Sequence, residues 1–256
     1  ETFELSLEDD YKLPGRAHEA LILNRPDVIE SVHRSMLDAG AMVVETDTFQ
    51  ATRLKLSEWK FEDGSTLAEH THEINVKAAQ IARAAAGEDR FVAGSIGPTG
   101  MLPASTEPGL CEITFGELSE TFREQSVGLL EGGIDLVIIE TAQDILEVKA
   151  AIFGARQAMK EQGRFVPIQV SVSLLPNGGK MLLGTDVDSV LTTLEALKVD
   201  VIGLNCSTGP EDMRDAIRFL GENSPMPVHC IPNAGLPEQG PDGETIFPEK
   251  PEPLAA

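Results

Sequence analysis

The segment DLVIIETAQ (135–143) is a short apolar run that ends in polar side chains, beginning with Glu140. VDVIGLNCS (199–207) repeats this form and ends in Asn205 and Cys206. Strands that are continuously apolar are buried on both faces, which is typical of parallel strands covered by helices. Both segments therefore predict buried parallel strands whose carboxyl ends carry side chains capable of chemistry.

Four further apolar runs, rich in valine and isoleucine, share this form: MVVETDTF (42–49), FVAGSIGP (91–98), PIQVSVSL (167–174) and PVHCIPNAG (227–235). Between the six runs lie helical patterns, over 25–39, 66–86, 115–131, 144–162, 186–197 and 209–221. Alternating strands and helices form βα units, which build either an open doubly wound sheet or a closed (β/α) barrel.

The positions of the polar residues distinguish these two architectures. In a barrel several strand ends contribute chemistry to one place, whereas a doubly wound sheet concentrates its ligand at one switch point. Nearly every run here ends in such side chains, among them Glu140, Cys206 and Asn233. The glycines of AGSIGPTG (93–100) lack the spacing of a dinucleotide-binding turn. We therefore expect an α/β fold of the TIM-type barrel class.

Composition and charge exclude several classes of function. Among the 256 residues, 42 acidic side chains face 20 basic ones, for a net charge of -22. Nucleic-acid binding needs a cationic surface, and an anionic membrane repels so acidic a chain. No run approaches the roughly 18 apolar residues that span a bilayer. With only 3 cysteines, we expect a cytoplasmic protein that binds neither nucleic acid nor membrane.

Cys206 is the strongest candidate for chemistry among the cysteines. It lies where a buried strand gives way to a loop, just before a helix whose positive end favours a thiolate. A metal ligand or a nucleophile is the functional interpretation, and a buried apolar cysteine is the alternative. We interpret Cys230 as part of the core and Cys111 as a free thiol in a loop.

Glu140 and Asn233 are the other candidates at strand ends. A carboxylate at a barrel mouth binds an ammonium group or acts as a base, although Glu140 could instead cap the helix that begins near Asp144. Asn233 could orient a substrate or serve as an oxygen ligand, or simply form a turn before glycine. The histidines predict no metal site, because His70 and His72 are two residues apart on a helix and face different directions.

Five stretches, taken in order, resemble the homocysteine-binding domains of cobalamin-dependent methionine synthases, within the homocysteine S-methyltransferase family. They are 23–51, 93–100, 113–141, 202–213 and 232–237. The most specific of them contain GLNC and PNAGLP. The resemblance implies a (β/α)8 barrel, in agreement with the class expected from the strand ends.

The resemblance also implies a chemistry. Zinc would be held by three cysteine thiolates, of which Cys206 is the first, and homocysteine would bind as a further thiolate ligand. Methylcobalamin, recharged from methyltetrahydrofolate, would donate the methyl group from corrinoid- and folate-binding domains of a parent protein. Glu140 would hold the substrate ammonium, Asn233 would lie beside the metal, and Thr48 would complete the substrate-binding residues.

The sequence departs from the family pattern at both ends. The remaining two cysteine ligands are expected beyond Ala256, and the first and eighth strands of the barrel are missing. We therefore expect residues 1–256 to be a single barrel domain truncated at both ends, which binds zinc weakly and is inactive alone. The alternatives are a non-catalytic barrel that docks a corrinoid protein, and a homocysteine methyltransferase that uses betaine or S-methylmethionine.

Overall fold

The computed structural model describes residues 3–176, 179–235, 238–240, 244–247 and 249–251. The chain divides into two compact units, Glu1–Ile139 with Leu146–Ile168, and Glu140–Ile145 with Gln169–Ala256. We call them unit 1 and unit 2. Ala256 and the last two residues of PNAGLP lie outside the described residues, so the expectations that fall on them stay predictions.

All six strands that the apolar runs predict are confirmed. They are β1 (Val43–Glu45), β2 (Phe91–Ile96), β3 (Leu136–Ala142), β4 (Ile168–Val172), β5 (Val201–Asn205) and β6 (Val228–Ile231). The last three residues of β3, which begin at Glu140, fall in unit 2, so this strand contributes to both units. A short antiparallel pair, which the sequence did not predict, is formed by β7 (Glu238–Gln239) and β8 (Thr245–Ile246).

The strand order selects the barrel class over the doubly wound sheet. In unit 1 the order is β1-β2-β3, and both pairings are parallel. In unit 2 the order continues from the end of β3 through β4 and β5 to β6, and the pairings of β5 with its two neighbours are parallel. A doubly wound sheet reverses its order at a switch point. The strands that the structure describes show no reversal, which is the order of a (β/α) barrel.

Helices separate the strands as the sequence predicts. They are α1 (Glu19–Asn24), α2 (Pro26–Asp38), α3 (Arg53–Leu56), α4 (Thr71–Ala86), α5 (Phe115–Gly132), α6 (Ile145–Gln162), α7 (Val187–Ala196) and α8 (Pro210–Asn223). The short helices α1 and α3 were not predicted, and the helix expected to begin at residue 66 starts with a 3-10 turn over Leu67–His70. Within the described ranges, no helix is long and apolar enough to cross a membrane.

Local sequence signals set where α5 and α8 begin. At the start of α5, Thr114 Oγ1 accepts from the Glu117 N–H at 3.2 Å, and the Glu117 carboxylate accepts from the Thr114 N–H at 2.9 Å. This capping box pairs two donors that a helix start leaves unbonded. At α8, Pro210 takes the first helical position after Gly209, as predicted. Fixed helix starts in turn fix the loops that carry the strand ends.

Glycine lets two helices of unit 1 approach closely. A Cβ at Gly154 of α6 would overlap the Ser119 carbonyl oxygen of α5 and would lie 2.8 Å from the Arg123 backbone nitrogen. Backbone atoms cannot move aside without disturbing the hydrogen bonds of α5. In α8, by contrast, nothing lies within 4 Å of the position that a Cβ at Gly221 would take.

This difference gives a matched pair of substitutions. Gly154→Ala is expected to lower the free energy of unfolding by about 1–3 kcal/mol, because it overpacks a backbone contact. Gly221→Ala is expected to leave it unchanged or raise it by up to about 1 kcal/mol, since alanine favours helix over glycine. Denaturant unfolding followed by circular dichroism measures both. Equal effects of the two substitutions would contradict the packing described for Gly154.

Candidate active site at the strand ends

In unit 2, Cys206 follows β5 directly and occupies a strained turn. Its N–H donates to the Ile231 carbonyl at the end of β6 over 3.0 Å, and its own carbonyl accepts from the Thr208 N–H at 2.7 Å. Cys206 has φ of 56° and Ser207 has φ of 65°. Two successive non-glycine residues in the left-handed region are uncommon and cost free energy. Such strain is concentrated at functional sites.

Two polar side chains from strand ends contact the Cys206 sulfur. Asn205 Nδ2 donates to the sulfur at 3.3 Å, and Thr141 Oγ1 donates to it at 3.8 Å. Asn205 is only 3% exposed, although its carboxamide is polar. Cys206 itself is half-buried. The end of β3 and the end of β5 therefore meet at this sulfur, as the barrel interpretation predicted for strand ends.

Glu140 and Asn233 belong to the same unit as Cys206. Glu140 immediately precedes Thr141 on β3 and is half-buried. The Asn233 N–H donates to the Thr208 carbonyl at 2.9 Å, which joins the segment after β6 to the turn that begins at Cys206. The roles predicted for the two side chains, binding the substrate ammonium and lying beside the metal, stay predictions.

Thr48 lies in unit 1, where its hydroxyl is part of a closed ring of hydrogen bonds. The Ser95 N–H donates to Thr46 Oγ1 at 3.0 Å, and Thr48 Oγ1 donates to the Ser95 carbonyl at 2.7 Å. The two threonine hydroxyls are 2.6 Å apart, so that Thr46 donates to Thr48. This ring ties the segment after β1 to β2 and leaves Thr48 fully buried. Its predicted contact with substrate stays a prediction.

Asp47, between these threonines, is a half-buried acid that the sequence did not single out. Its Oδ2 is buried and has no hydrogen-bond partner among the described residues. Burial, with a smaller contribution from the nearby Glu19 carboxylate, raises the pKa of Asp47 from 3.8 to about 7. Glu19 Oε1 accepts from the Gln50 N–H at 3.0 Å. Asp47 is therefore expected to be protonated in the folded protein below neutral pH.

The other two cysteines differ from Cys206 in their surroundings. Cys111 is half-buried in the loop before α5 of unit 1. Cys230 is exposed, which makes its interpretation as a core residue wrong. The reason is that β6, in the described part of the sheet, pairs only with β5 and receives no cover from a further strand. The Cys230 sulfur lies 3.8 Å from the Met213 sulfur of α8.

The described residues do not by themselves complete a metal site. No three histidine, cysteine, aspartate or glutamate side chains among them are grouped so that they could hold a metal ion. A zinc site in a protein commonly has three or four protein ligands. Cys206 fits one such position, since its half-buried sulfur lies at the end of β5, where two polar side chains contact it. Further ligands would have to come from outside the described residues.

A parallel βα fold that gathers polar side chains at the carboxyl ends of its strands defines the class of barrel enzymes. Residues 3–256 match the family described as homocysteine S-methyltransferase. The chain belongs to the homocysteine S-methyltransferase family. The resemblance inferred from the sequence is thereby confirmed.

Two curated relatives are similar over nearly the whole chain. They are the methionine synthases of Mycobacterium leprae (strain TN) and Mycobacterium tuberculosis (strain ATCC 25618 / H37Rv), each 38% identical over 258 residues and matching 98% of this chain. The match covers 20% of each relative. The chain thus spans about a fifth of the length of the curated relatives it matches.

Solved structures agree on the fold. The metallated form of the homocysteine methyltransferase MmuM from Escherichia coli has a TM-score of 0.67 and 22% identity, covering 84% of this chain and 75% of that chain. Its oxidized form has a TM-score of 0.68 and 21% identity, covering 86% of this chain and 76% of that chain. At these identities the likeness establishes the fold alone, and it confirms the predicted TIM-type barrel class.

The raised pKa of Asp47 predicts a pH dependence of stability. Unfolding returns this carboxyl to its ordinary pKa, so its contribution to stability is full below about pH 4 and is lost as the pH rises to about 7. Asp47→Asn removes the titration. The variant is expected to lose less stability than the parent between pH 4 and pH 7, and to be the more stable of the two at pH 8. Thermal unfolding at pH 4, pH 7 and pH 8 measures this, with Asp89→Asn in an exposed turn as control. Parallel stability profiles of the parent and Asp47→Asn would contradict the burial of the Asp47 carboxyl.

Proposed function

We propose that this chain is the homocysteine-binding part of a methionine synthase, in which homocysteine receives a methyl group at sulfur. In that reaction the thiol loses its proton, an S–CH₃ bond forms, and the bond between the methyl group and its donor breaks. The observation that carries the proposal is the Cys206 sulfur, presented at the end of β5 between two hydrogen-bond donors. Membership of the homocysteine S-methyltransferase family supports it.

Zinc is the cofactor that we propose for the substrate thiol. Cys206 would supply one thiolate ligand, and Asn233 would lie beside the metal. The remaining ligands would come from outside the described residues, which contain no group of three ligand side chains. Bound zinc stabilises a sulfur anion at neutral pH and so keeps a coordinated thiol reactive. The metallated form of the homocysteine methyltransferase MmuM supports this proposal.

Glu140 is the residue that we propose for recognition of the amino-acid part of homocysteine. It is a half-buried acid next to Thr141, whose hydroxyl contacts the Cys206 sulfur. A carboxylate there is suited to an ammonium group, since hydrogen bonds between charged groups are stronger than neutral ones. Thr48 stays the third residue that we propose for substrate binding; its hydroxyl donates to the Ser95 carbonyl at 2.7 Å.

The methyl donor is proposed to be methylcobalamin, with methyltetrahydrofolate as the ultimate source. The relatives named methionine synthase support this choice, because the chain matches a fifth of their length and the remainder leaves room for corrinoid- and folate-binding domains. These domains would be the partners of the chain within a parent protein. A cytoplasmic location agrees with such partners and remains part of the proposal.

Replacement of the central cysteine tests the proposal. In the full protein that carries this sequence, Cys206→Ser is expected to abolish both stoichiometric zinc binding and methyl transfer to homocysteine, because oxygen is a poor substitute for a zinc thiolate. Zinc content by mass spectrometry and methionine formation are measured together. Cys111→Ser, in a loop of unit 1, should leave both unchanged. Turnover by Cys206→Ser at the parent rate would overturn the proposal.

A second substitution tests the binding of substrate. Glu140→Gln removes the negative charge and keeps the size of the side chain. It is expected to raise KM for homocysteine by about tenfold, because one charge-assisted hydrogen bond to the substrate is lost. The effect on kcat should be smaller, since the group binds the unreactive end of the substrate. Glu195→Gln, exposed on α7, is the matched control. An unchanged KM with Glu140→Gln would remove Glu140 from the substrate site.

A further inference from the structure

Within unit 2, the carboxamide of Asn205 can have only one orientation. The Thr141 N–H, which can only donate, lies 2.8 Å from Asn205 Oδ1. The atom of the carboxamide that faces Thr141 N must therefore be the oxygen, and the other atom, Nδ2, must face Thr141 Oγ1 and the Cys206 sulfur. Because Asn205 is 3% exposed, no solvent is available to compensate a flipped amide.

This orientation commits both hydrogens of Nδ2. One goes to Thr141 Oγ1 at 2.8 Å and the other to the Cys206 sulfur at 3.3 Å. Thr141 Oγ1 accepts from Asn205, so its own hydrogen is available for the sulfur, 3.8 Å away. Among the described residues, the sulfur thus accepts two hydrogen bonds, one from Asn205 and one from Thr141.

The backbone around this network is held in unfavourable conformations. Thr141 has φ of 55° and Cys206 has φ of 56°, and the left-handed region is an outlier for a β-branched residue such as Thr141. Ser173 Oγ donates to the Asn205 carbonyl at 2.7 Å, and the Ser173 N–H donates to the Ala142 carbonyl at 3.0 Å. Three strand ends are therefore linked around one sulfur, and strained residues persist only where the surroundings fix them.

We propose that Asn205 and Thr141 are positioning residues, which hold the Cys206 sulfur as a double hydrogen-bond acceptor ready to bind a metal ion. This inference rests on the proposed function, because it takes Cys206 to be a metal ligand. Neither residue needs to touch substrate. Groups that orient and hydrogen-bond a metal ligand typically change metal affinity by 10–100-fold when they are removed.

Isosteric variants test the inference in the full protein that carries this sequence. Asn205→Asp keeps an oxygen for the Thr141 N–H and places a second oxygen, instead of a donor, against the sulfur. We expect its affinity for Co²⁺ to fall about 10–100-fold, with a shift in the thiolate-to-cobalt charge-transfer absorption. Asn223→Asp makes the same change on the surface of α8, where Nδ2 donates only to the Phe219 carbonyl, and should alter neither.

A second pair of variants covers the case in which Asn205→Asp fails to fold. Thr141→Val keeps the shape of the side chain and removes its hydroxyl, so it should weaken Co²⁺ binding and shift the absorption in the same direction. Thr141→Ser restores the hydroxyl and should recover the parent affinity and spectrum. If valine and serine at this position behave alike, the hydroxyl does not position the sulfur and the inference is wrong.

The outcomes separate this inference from the proposed function. If Cys206→Ser loses Co²⁺ binding while Asn205→Asp and Thr141→Val retain parent affinity and spectrum, the positioning role is overturned and the proposed function stands. If Cys206→Ser retains the metal and turnover, the proposed function fails and the inference fails with it. Loss of affinity in all three variants, with recovery in Thr141→Ser, supports both.

Discussion

The hydrogen bond from the Thr141 N–H to Asn205 Oδ1 is the contact on which the proposed chemistry of unit 2 depends. It orients a buried carboxamide whose nitrogen then points at the Cys206 sulfur. A reversed amide would place an oxygen lone pair against that sulfur and leave the Thr141 N–H unpaired in the interior, at a cost of about 1–3 kcal/mol. The Asn205 carboxamide therefore has one orientation, in which the Cys206 sulfur accepts a hydrogen bond from its nitrogen.

Polar side chains at the ends of buried strands must find partners, and the two units meet this requirement in different ways. In unit 1 the hydroxyls of Thr46 and Thr48 close a ring with the backbone of Ser95, so that every donor and acceptor of the ring is used within the protein. In unit 2 the network of Asn205 and Thr141 ends on the Cys206 sulfur, which accepts a hydrogen bond from each. The first arrangement stabilises a turn, whereas the second presents the sulfur that we propose as a metal ligand.

The sequence predicted the strands and the long helices well. A strand is indicated by a continuous apolar run and a long helix by the 3.6-residue period of its apolar residues, and both signals lie within one short segment of the chain. It missed α1 and α3, which have 6 and 4 residues and are too short to show a period. Cys206 could be found from its position after a strand. The role of Asn205 could not, since its partner Thr141 is 64 residues away. Cys230 was misjudged because its apolar neighbours resemble a core strand, while exposure depends on which strand lies beside β6.

The central claim, that Cys206 is a zinc ligand, is tested most directly by X-ray absorption at the zinc K-edge of the full protein that carries this sequence. Zinc–thiolate bonds scatter at about 2.3 Å, well separated from nitrogen and oxygen ligands near 2.0–2.1 Å. The account predicts that, under forced zinc loading, Cys206→Ser loses one sulfur scatterer from this shell and Cys111→Ser loses none. An identical sulfur shell in the parent and in Cys206→Ser would contradict it.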